Sequence, residues 1–281
     1  VSSAAEFESV FESEMEAAGL RRFDGELRTP FLRQLVELLR AEKDPRFAFL
    51  QRRPIPFRAL HVPLARARVA LLTTAGLHLA GDRGFRVLEE PFGDASFRVV
   101  PHGAPAAELD LQALYVDRKY TVDDPEVALP RRALEALARA GKIGSAAPRH
   151  YSFCAGLLRP YPGLRESVEA LRPMLAEDGV DAVVILPTCS VCVQTVALLA
   201  GELEQRGLAT VALSMLPELS EIVGAPRTLT VRFPYGAPCG DPHHPELHEA
   251  VLLEALELLE SCESAGEVRA SQHLWRERPA N

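Results

Sequence analysis

From residue 163 to residue 261, short apolar runs alternate with helical patterns, and that order leaves few architectures open. Residues 164–176, 190–206, 217–223 and 245–261 carry helical periodicity, while 180–186, 210–213 and 228–233 are strand-like. Strands joined in sequence by helices run parallel, with right-handed crossovers. Buried on both faces, they read as continuous apolar runs. Val180 to Leu186 is such a run, broken only by Asp181. Upstream, 68–74 and 97–100 are predicted strands and 131–140 a helix stopped at Gly141. The expected class is α/β, with one or two Rossmann-like parallel-sheet lobes.

Two amphipathic helices precede that part. Residues 4–18 place Phe7, Val10, Phe11 and Met15 on one face, and 30–42, opened by Pro30, do the same with Phe31, Leu32, Leu35, Val36 and Leu39. They are expected to pack as an arm, with a dimer contact or a lid as the other uses. Pro54, Pro56 and Pro63 mark a connector. The expected organisation is a helical arm and Pro-rich connector over 1–65, a first α/β lobe over 66–150 and a second over 151–281. Residues 108–124 read as a polar loop with Asp117, Arg118, Asp123 and Asp124 near Tyr115 and Tyr120. The polar tail after Gly266 reads as poorly ordered, with Trp275 available to dock.

Composition excludes several function classes. The 281 residues are 47% hydrophobic and 25% charged, ordinary for a globular chain with a substantial core. A net charge of −8 with scattered basic residues argues against a nucleic-acid partner. No apolar stretch has the length of a membrane span, and the acidic start lacks a signal-peptide n-region. Five cysteines do not form the even framework of a secreted disulfide protein. The expected compartment is therefore the cytoplasm.

The chemistry concentrates at one corner. Pro187 ends the 180–186 run, Thr188 is a predicted N-cap, and Cys189 then falls at the first helical position, where free N–H groups and the helix dipole stabilise a thiolate. Cys192, one turn on, is close enough to close a disulfide with it. Half of a zinc site and plain packing are the competing readings; a structural zinc site needs a second ligand pair. Open parallel sheets bind ligands at the carboxyl ends of their strands, and those ends carry Thr73 and Thr74, Cys189, Ser214 and Tyr235. Thr73-Thr74 and Thr188-Cys189 also read as counterparts in two facing lobes. His150 is a candidate proton carrier beside the thiolate. Cys239, His243, His244 and His248 allow a metal reading, against simple capping of the last helix. Cys154 and Cys262 read as lone thiols.

The motifs also form a set. Gly93-Asp94-x-Ser96-x-Arg98-x-x-Pro101, Ala147-Pro148-Arg149-His150-Tyr151-Ser152-Phe153, Pro187-Thr188-Cys189-x-x-Cys192 and Val223-Gly224-Ala225-Pro226-Arg227 occur in order. With Phe233-Pro234-Tyr235-Gly236-Ala237-Pro238-x-Gly240-Asp241-Pro242, they resemble the glycine/sarcosine/betaine reductase selenoprotein B family and the similar D-proline reductase subunit, over roughly residues 66–260. In that family the first position of the pair is often selenocysteine, which attacks a carbon bearing an amine and cleaves the C–N bond reductively. The resemblance implies that Cys189 attacks and Cys192 resolves. The pyruvoyl group of this family belongs to separate partner chains.

The expected function is thus a cytosolic dithiol-dependent reductase in which Cys189, Cys192 and His150 are catalytic and Thr188, Thr73, Thr74, Ser214 and Tyr235 contact substrate. No resident cofactor is identified, although a metal is possible chemically. The expected partners are a small-molecule substrate and an external dithiol or redox protein, with a homo-oligomer as a further option. The alternatives are a metal-binding or redox-sensing module and a racemase or lyase using cysteine as acid/base.

Overall fold

The computed structural model describes residues 4–113 and 117–275. The arm comprises α1 (Ala4–Ala17), β1 (Leu20–Arg22), α2 (Pro30–Glu42) and β2 (Leu50–Arg52), with β1 and β2 paired antiparallel. There follow β3 (Arg68–Thr73), β4 (Leu77–Leu79), β5 (Phe97–Pro101), β6 (Leu109–Leu111), α3 (Lys119–Asp123), α4 (Arg131–Arg139), β7 (Ser145–Ala146) and β8 (Arg149–Phe153). The regular alternation then runs α5 (Gly163–Glu177), β9 (Ala182–Leu186), α6 (Ser190–Gln205), β10 (Ala209–Ser214), α7 (Pro217–Val223), β11 (Arg227–Arg232), α8 (Pro245–Ser261) and β12 (Glu267–Leu274).

One eight-stranded sheet runs in the order β12-β11-β10-β9-β3-β8-β5, with β7 beside the start of β3, while β1 with β2 and β4 with β6 form separate two-stranded sheets. Every pair along that path is parallel except β5 with β8. β3, β5, β7 and β8 therefore share a single sheet with β9 to β12. The two Thr-ending runs do not face each other across lobes. They end adjacent strands, with Leu72 opposite Ile185 and Thr73 opposite Leu186.

The continuous apolar runs follow from burial on both faces. Ala70, Leu72, Val183, Ile185 and Ala212 point to one side, against Phe11, Leu32, Leu164, Val168, Val196, Leu199 and Leu219 of α1, α2, α5, α6 and α7. Val69, Leu71, Val184, Leu186, Val211 and Leu213 point to the other, against Leu134, Leu137, Val251, Leu252 and Leu256 of α4 and α8. Strand alternation sends successive side chains to opposite layers, so each strand feeds apolar residues into both.

Two sequence readings are corrected. Residues 108–124 are not a loop throughout: β6 pairs antiparallel with β4, and α3 follows. Tyr115 lies outside the described residues. Within the tail after Gly266, Glu267–Leu274 form β12, parallel to β11, and Trp275 packs against Tyr120 and Phe233 with ring centroids 5.3 and 6.0 Å away; residues 276–281 lie outside the described residues. β12 is an edge strand, half-exposed along its length, so its sequence needs no apolar run.

Candidate active site

The sheet reverses its direction of build-up between β3 and β9. From β9 the chain adds β10, β11 and β12 on one side, whereas from β3 it adds β8 on the other. Such a switch point opens a crevice at the carboxyl ends of the two strands. Thr73 and Thr74 end β3 there, and Pro187, Thr188 and Cys189 leave β9 there.

The helix begins one residue later than the sequence indicates. Cys189, not Thr188, is the N-cap of α6: its backbone is extended (φ −139°, ψ 174°) and its Sγ accepts the Cys192 N–H at 3.1 Å. Sulfur thus takes the place of the hydroxyl or carboxylate usual at this position. Cys189 and Cys192 are joined as a disulfide, with their Cα atoms 4.9 Å apart. Cys189 is 9% exposed and Cys192 0%, so any approach from outside meets Cys189 first.

Thr188 is freed from capping and turns back toward β3. Its N–H donates to Thr74 Oγ1 at 3.1 Å, and its hydroxyl donates to the Thr74 carbonyl at 3.2 Å. The two hydroxyls lie 3.3 Å apart, and Thr188 Oγ1 is 3.8 Å from Cys192 Sγ. The Thr188 carbonyl accepts the Gly236 N–H at 2.8 Å, which brings the segment after β11 to the corner. Gly236 sits at φ 88°, and a Cβ there would fall 2.3 Å from the Asp117 carbonyl oxygen, so glycine is required. The segment after β8 closes the other side: the Ala155 N–H donates to the Thr74 carbonyl at 2.9 Å, and the Leu157 N–H donates to Thr195 Oγ1 at 3.0 Å.

The arm covers this corner. Leu35 and Leu39 of α2, with Leu158, pack on Cys189, Val191 and Cys192. Phe31, one turn earlier on α2, stacks on Tyr235 with centroids 6.2 Å apart, and burial pushes the Tyr235 hydroxyl up to about 12. The start of α2 is held by Glu218 of α7. Its carboxylate accepts the Arg28 N–H at 2.5 Å, the Thr29 N–H at 2.8 Å and the Thr29 hydroxyl. Desolvation of this carboxylate is outweighed by those Thr29 and Arg28 bonds, and its pKa is lowered. An anion at a helix N-terminus also meets the positive end of the dipole.

The polar side of α6 is buried against the arm as well. Gln194 accepts the Leu50 N–H at 2.8 Å and donates to the Leu157 carbonyl at 3.2 Å. Glu202 accepts from Arg52 at 2.6 Å and from the Tyr161 hydroxyl at 2.7 Å. Gln194, Glu202 and Glu218 were absent from the sequence reading. Their partners lie up to 190 residues away, and local sequence carries no sign of them.

His150 turns to the α4 side of the sheet. Its Nδ1 accepts the Leu71 N–H at 3.1 Å, so the neutral ring carries its proton on Nε2 and donates to His102 Nδ1 at 2.9 Å. His102 in turn donates from Nε2 to Glu135 Oε2 at 3.2 Å. None of these bonds reaches either cysteine. Burial first, then the nearby His102 and Arg131 charges, hold the His150 pKa well below the usual histidine value. As pH falls, the unfolded chain protonates this histidine while the folded chain keeps it neutral. Stability should therefore be complete above about pH 6.5 and decline below it, by up to about 1.4 kcal/mol per pH unit for each proton. Chemical denaturation from about pH 7 to about pH 5 measures this slope, and His150→Gln should flatten it.

The remaining candidates stand apart. Ser214 Oγ accepts from the Leu216 N–H and the Ser220 hydroxyl, inside the turn from β10 to α7. Thr73 Oγ1 accepts the Ala75 N–H at 3.2 Å. Cys239 is buried and bonds the His248 carbonyl, His248 bonds the Asp241 carbonyl, and the His243 ring meets Asp123. Among the described residues, no three His, Cys, Asp or Glu side chains converge as a metal site would need. Cys154 ends β8 and donates to the Gln112 carbonyl at 2.8 Å, with burial pushing its thiol up to about 12. No helix among the described residues is long and apolar enough to cross a membrane.

Comparison with known proteins agrees with the motif reading. The chain is 29% identical over 200 residues to the D-proline reductase subunit gamma of Acetoanaerobium sticklandii, covering 71% of this chain and 81% of that one. It is 30% identical over 127 residues to the sarcosine reductase complex component B subunit beta of Peptoclostridium acidaminophilum, covering 45% of this chain and 28% of the relative. Against the glycine reductase complex component B subunit gamma of Carboxydothermus hydrogenoformans, identity is 28% over 196 residues, covering 69% of this chain and 44% of the relative. The chain thus spans most of the first relative but less than half of the other two. No protein-family model and no solved structure matches it. By motifs and by whole-sequence similarity, this chain is a relative of the D-proline, glycine, sarcosine and betaine reductase components, an oxidoreductase of that type.

Proposed function

We propose that this chain is a dithiol-dependent reductase of small molecules, with Cys189 as attacking thiolate and Cys192 as resolver. The observation that carries the reading is the Cys189–Cys192 disulfide at the N-terminus of α6, at the switch point of the sheet. A thiolate at Cys189 would keep the Cys192 N–H as donor and face the helix dipole, both of which favour ionisation.

The substrate class suggested by the relatives' names is an amino acid or N-substituted amino acid. The Cys189 thiolate attacks the carbon bearing nitrogen; the C–N bond breaks and the amine leaves with a proton from water. The Cys192 thiolate then attacks Cys189 Sγ. The C–S bond breaks, its electron pair stays on the carbon beside the carboxylate, and that carbon takes a proton. The substrate gains two electrons and the pair becomes a disulfide, which an external dithiol or redox protein resets by exchange. Tyr235 lines the approach, Thr188 lies buried beneath the pair, His150 serves the sheet, and other subunits complete the assembly. The setting in this reading is cytosolic, where reductant is available. Reduced protein is incubated with D-proline, glycine, sarcosine or betaine, and free thiols are counted against product. Loss of one thiol pair per C–N bond cleaved supports the reading; product formed without thiol loss contradicts it.

The same reading requires α2 to move, because Leu35 and Leu39 lie on the cysteines. Glu218→Ala removes the acceptor of three hydrogen bonds at its start, interactions worth enough together to change opening by about tenfold or more. Reduction of the disulfide by added dithiothreitol should accelerate by about that factor. An unchanged rate would show that α2 does not control access.

A further inference from the structure

Building on the dithiol reading, we infer that Thr188 is a positioning residue for Cys192, supplying a side-chain hydroxyl that holds the resolving sulfur as a thiolate. The hydrogen bonds to the two sulfurs come from two uncharged donors. Cys189 Sγ has the Cys192 N–H at 3.1 Å, and Cys192 Sγ has Thr188 Oγ1 at 3.8 Å. Thr188 and Cys192 are both 0% exposed. A buried thiolate without a donor is strongly disfavoured, so the ionisation that resolution requires depends on this contact.

Everything about Thr188 except its hydroxyl rotor is fixed. Its N–H is bound to Thr74 Oγ1 and its carbonyl to the Gly236 N–H. With the disulfide closed, the hydroxyl donates to the Thr74 carbonyl. When Cys192 ionises, rotation about the Cβ–Oγ1 bond redirects that proton to sulfur. The Thr74 carbonyl is not stranded, because it also accepts the Ala155 N–H at 2.9 Å. The Thr74 hydroxyl, 3.3 Å from Thr188 Oγ1, then donates to it. The result is a chain from the Thr74 hydroxyl through the Thr188 hydroxyl to the Cys192 thiolate, each bond polarising the next. The apolar run ending in two threonines on β3 thereby acquires a use. Thr74 tunes Thr188, and Thr188 serves Cys192.

The test follows the reaction of reduced protein with the chromogenic disulfide dithiobis-nitrobenzoate. Attack by Cys189 breaks the reagent's S–S bond and releases one aryl thiolate. Attack by Cys192 on the resulting mixed disulfide releases the second and closes Cys189–Cys192. Thr188→Val should leave the first release unchanged, slow the second by about tenfold or more, and move its pH midpoint upward. Thr188→Ser should restore both rate and midpoint. Thr74→Val, a second variant that leaves Thr188 in place, should shift the same midpoint upward by less. Equal slowing of both releases with an unmoved midpoint, or no change in either, overturns the role of Thr188. A wild-type reaction with no second release instead overturns the dithiol reading itself.

Discussion

Cys189→Ser is expected to abolish turnover, whereas Cys192→Ser is expected to trap a covalent adduct on Cys189. The serine hydroxyl ionises far above neutrality, and neither the Cys192 N–H nor the α6 dipole closes that gap, so activity should fall by roughly a thousandfold or more. In Cys192→Ser the attacking sulfur and its N–H donor remain, because that donor is a backbone group. The first bond still breaks, but nothing displaces the product. Intact-mass spectrometry after exposure to D-proline, glycine, sarcosine or betaine should show an added mass on Cys192→Ser only. A metal site would show both variants losing metal together, and plain packing would show altered stability with activity kept.

The second large effect concerns the anchor of the arm. Arg52 of β2 and Glu202 of α6 are 2% and 1% exposed and meet at 2.6 Å, with the Tyr161 hydroxyl donating to the same carboxylate oxygen and Arg206 to the other at 2.7 Å. Glu202→Leu strands the Arg52 charge in the interior, and breaking such a pair costs about 3–5 kcal/mol. The midpoint of urea denaturation should drop accordingly. Arg52→Met combined with Glu202→Leu should recover most of the loss, since a buried pair replaced by apolar groups is near neutral. A single-variant loss below about 1 kcal/mol would show the pair to be solvated in solution. Because Arg52 and Gln194 tie the arm to α6, Glu202→Leu should also loosen the cover over Cys189.

The sequence was legible where the physics is local. The helices expected over 217–223 and 245–261 form with those bounds, because Pro217 and Pro245 at the first helical position and a left-handed Gly224 after α7 are set by backbone sterics alone. The 180–186 run announced a buried strand for the same kind of reason. The Cys-x-x-Cys corner was visible from residue order. Its cap was displaced by one residue, because the local rule expects an oxygen and here the Cys189 sulfur does the capping. Pairing partners were not legible. Nothing in β3 or β9 states that they are neighbours, so two lobes were expected where one sheet forms. Nor were the partners of the polar residues of α6: Leu50, Arg52 and Leu157 cover them through contacts more than 30 residues distant. His150 was read as a proton carrier from its motif, but strand alternation turns it to the α4 side.

The central claim is that the two sulfurs have different duties, Cys189 outward and attacking, Cys192 inward and resolving. It is tested most directly by reducing the wild-type protein and treating it briefly with limiting iodoacetamide at neutral pH. Peptide mapping then shows which cysteine is carboxamidomethylated first. Cys189, the more exposed of the pair and the one capping α6, should be labelled well before Cys192. Labelling of Cys192 first, or of both at equal rates, would contradict the assignment.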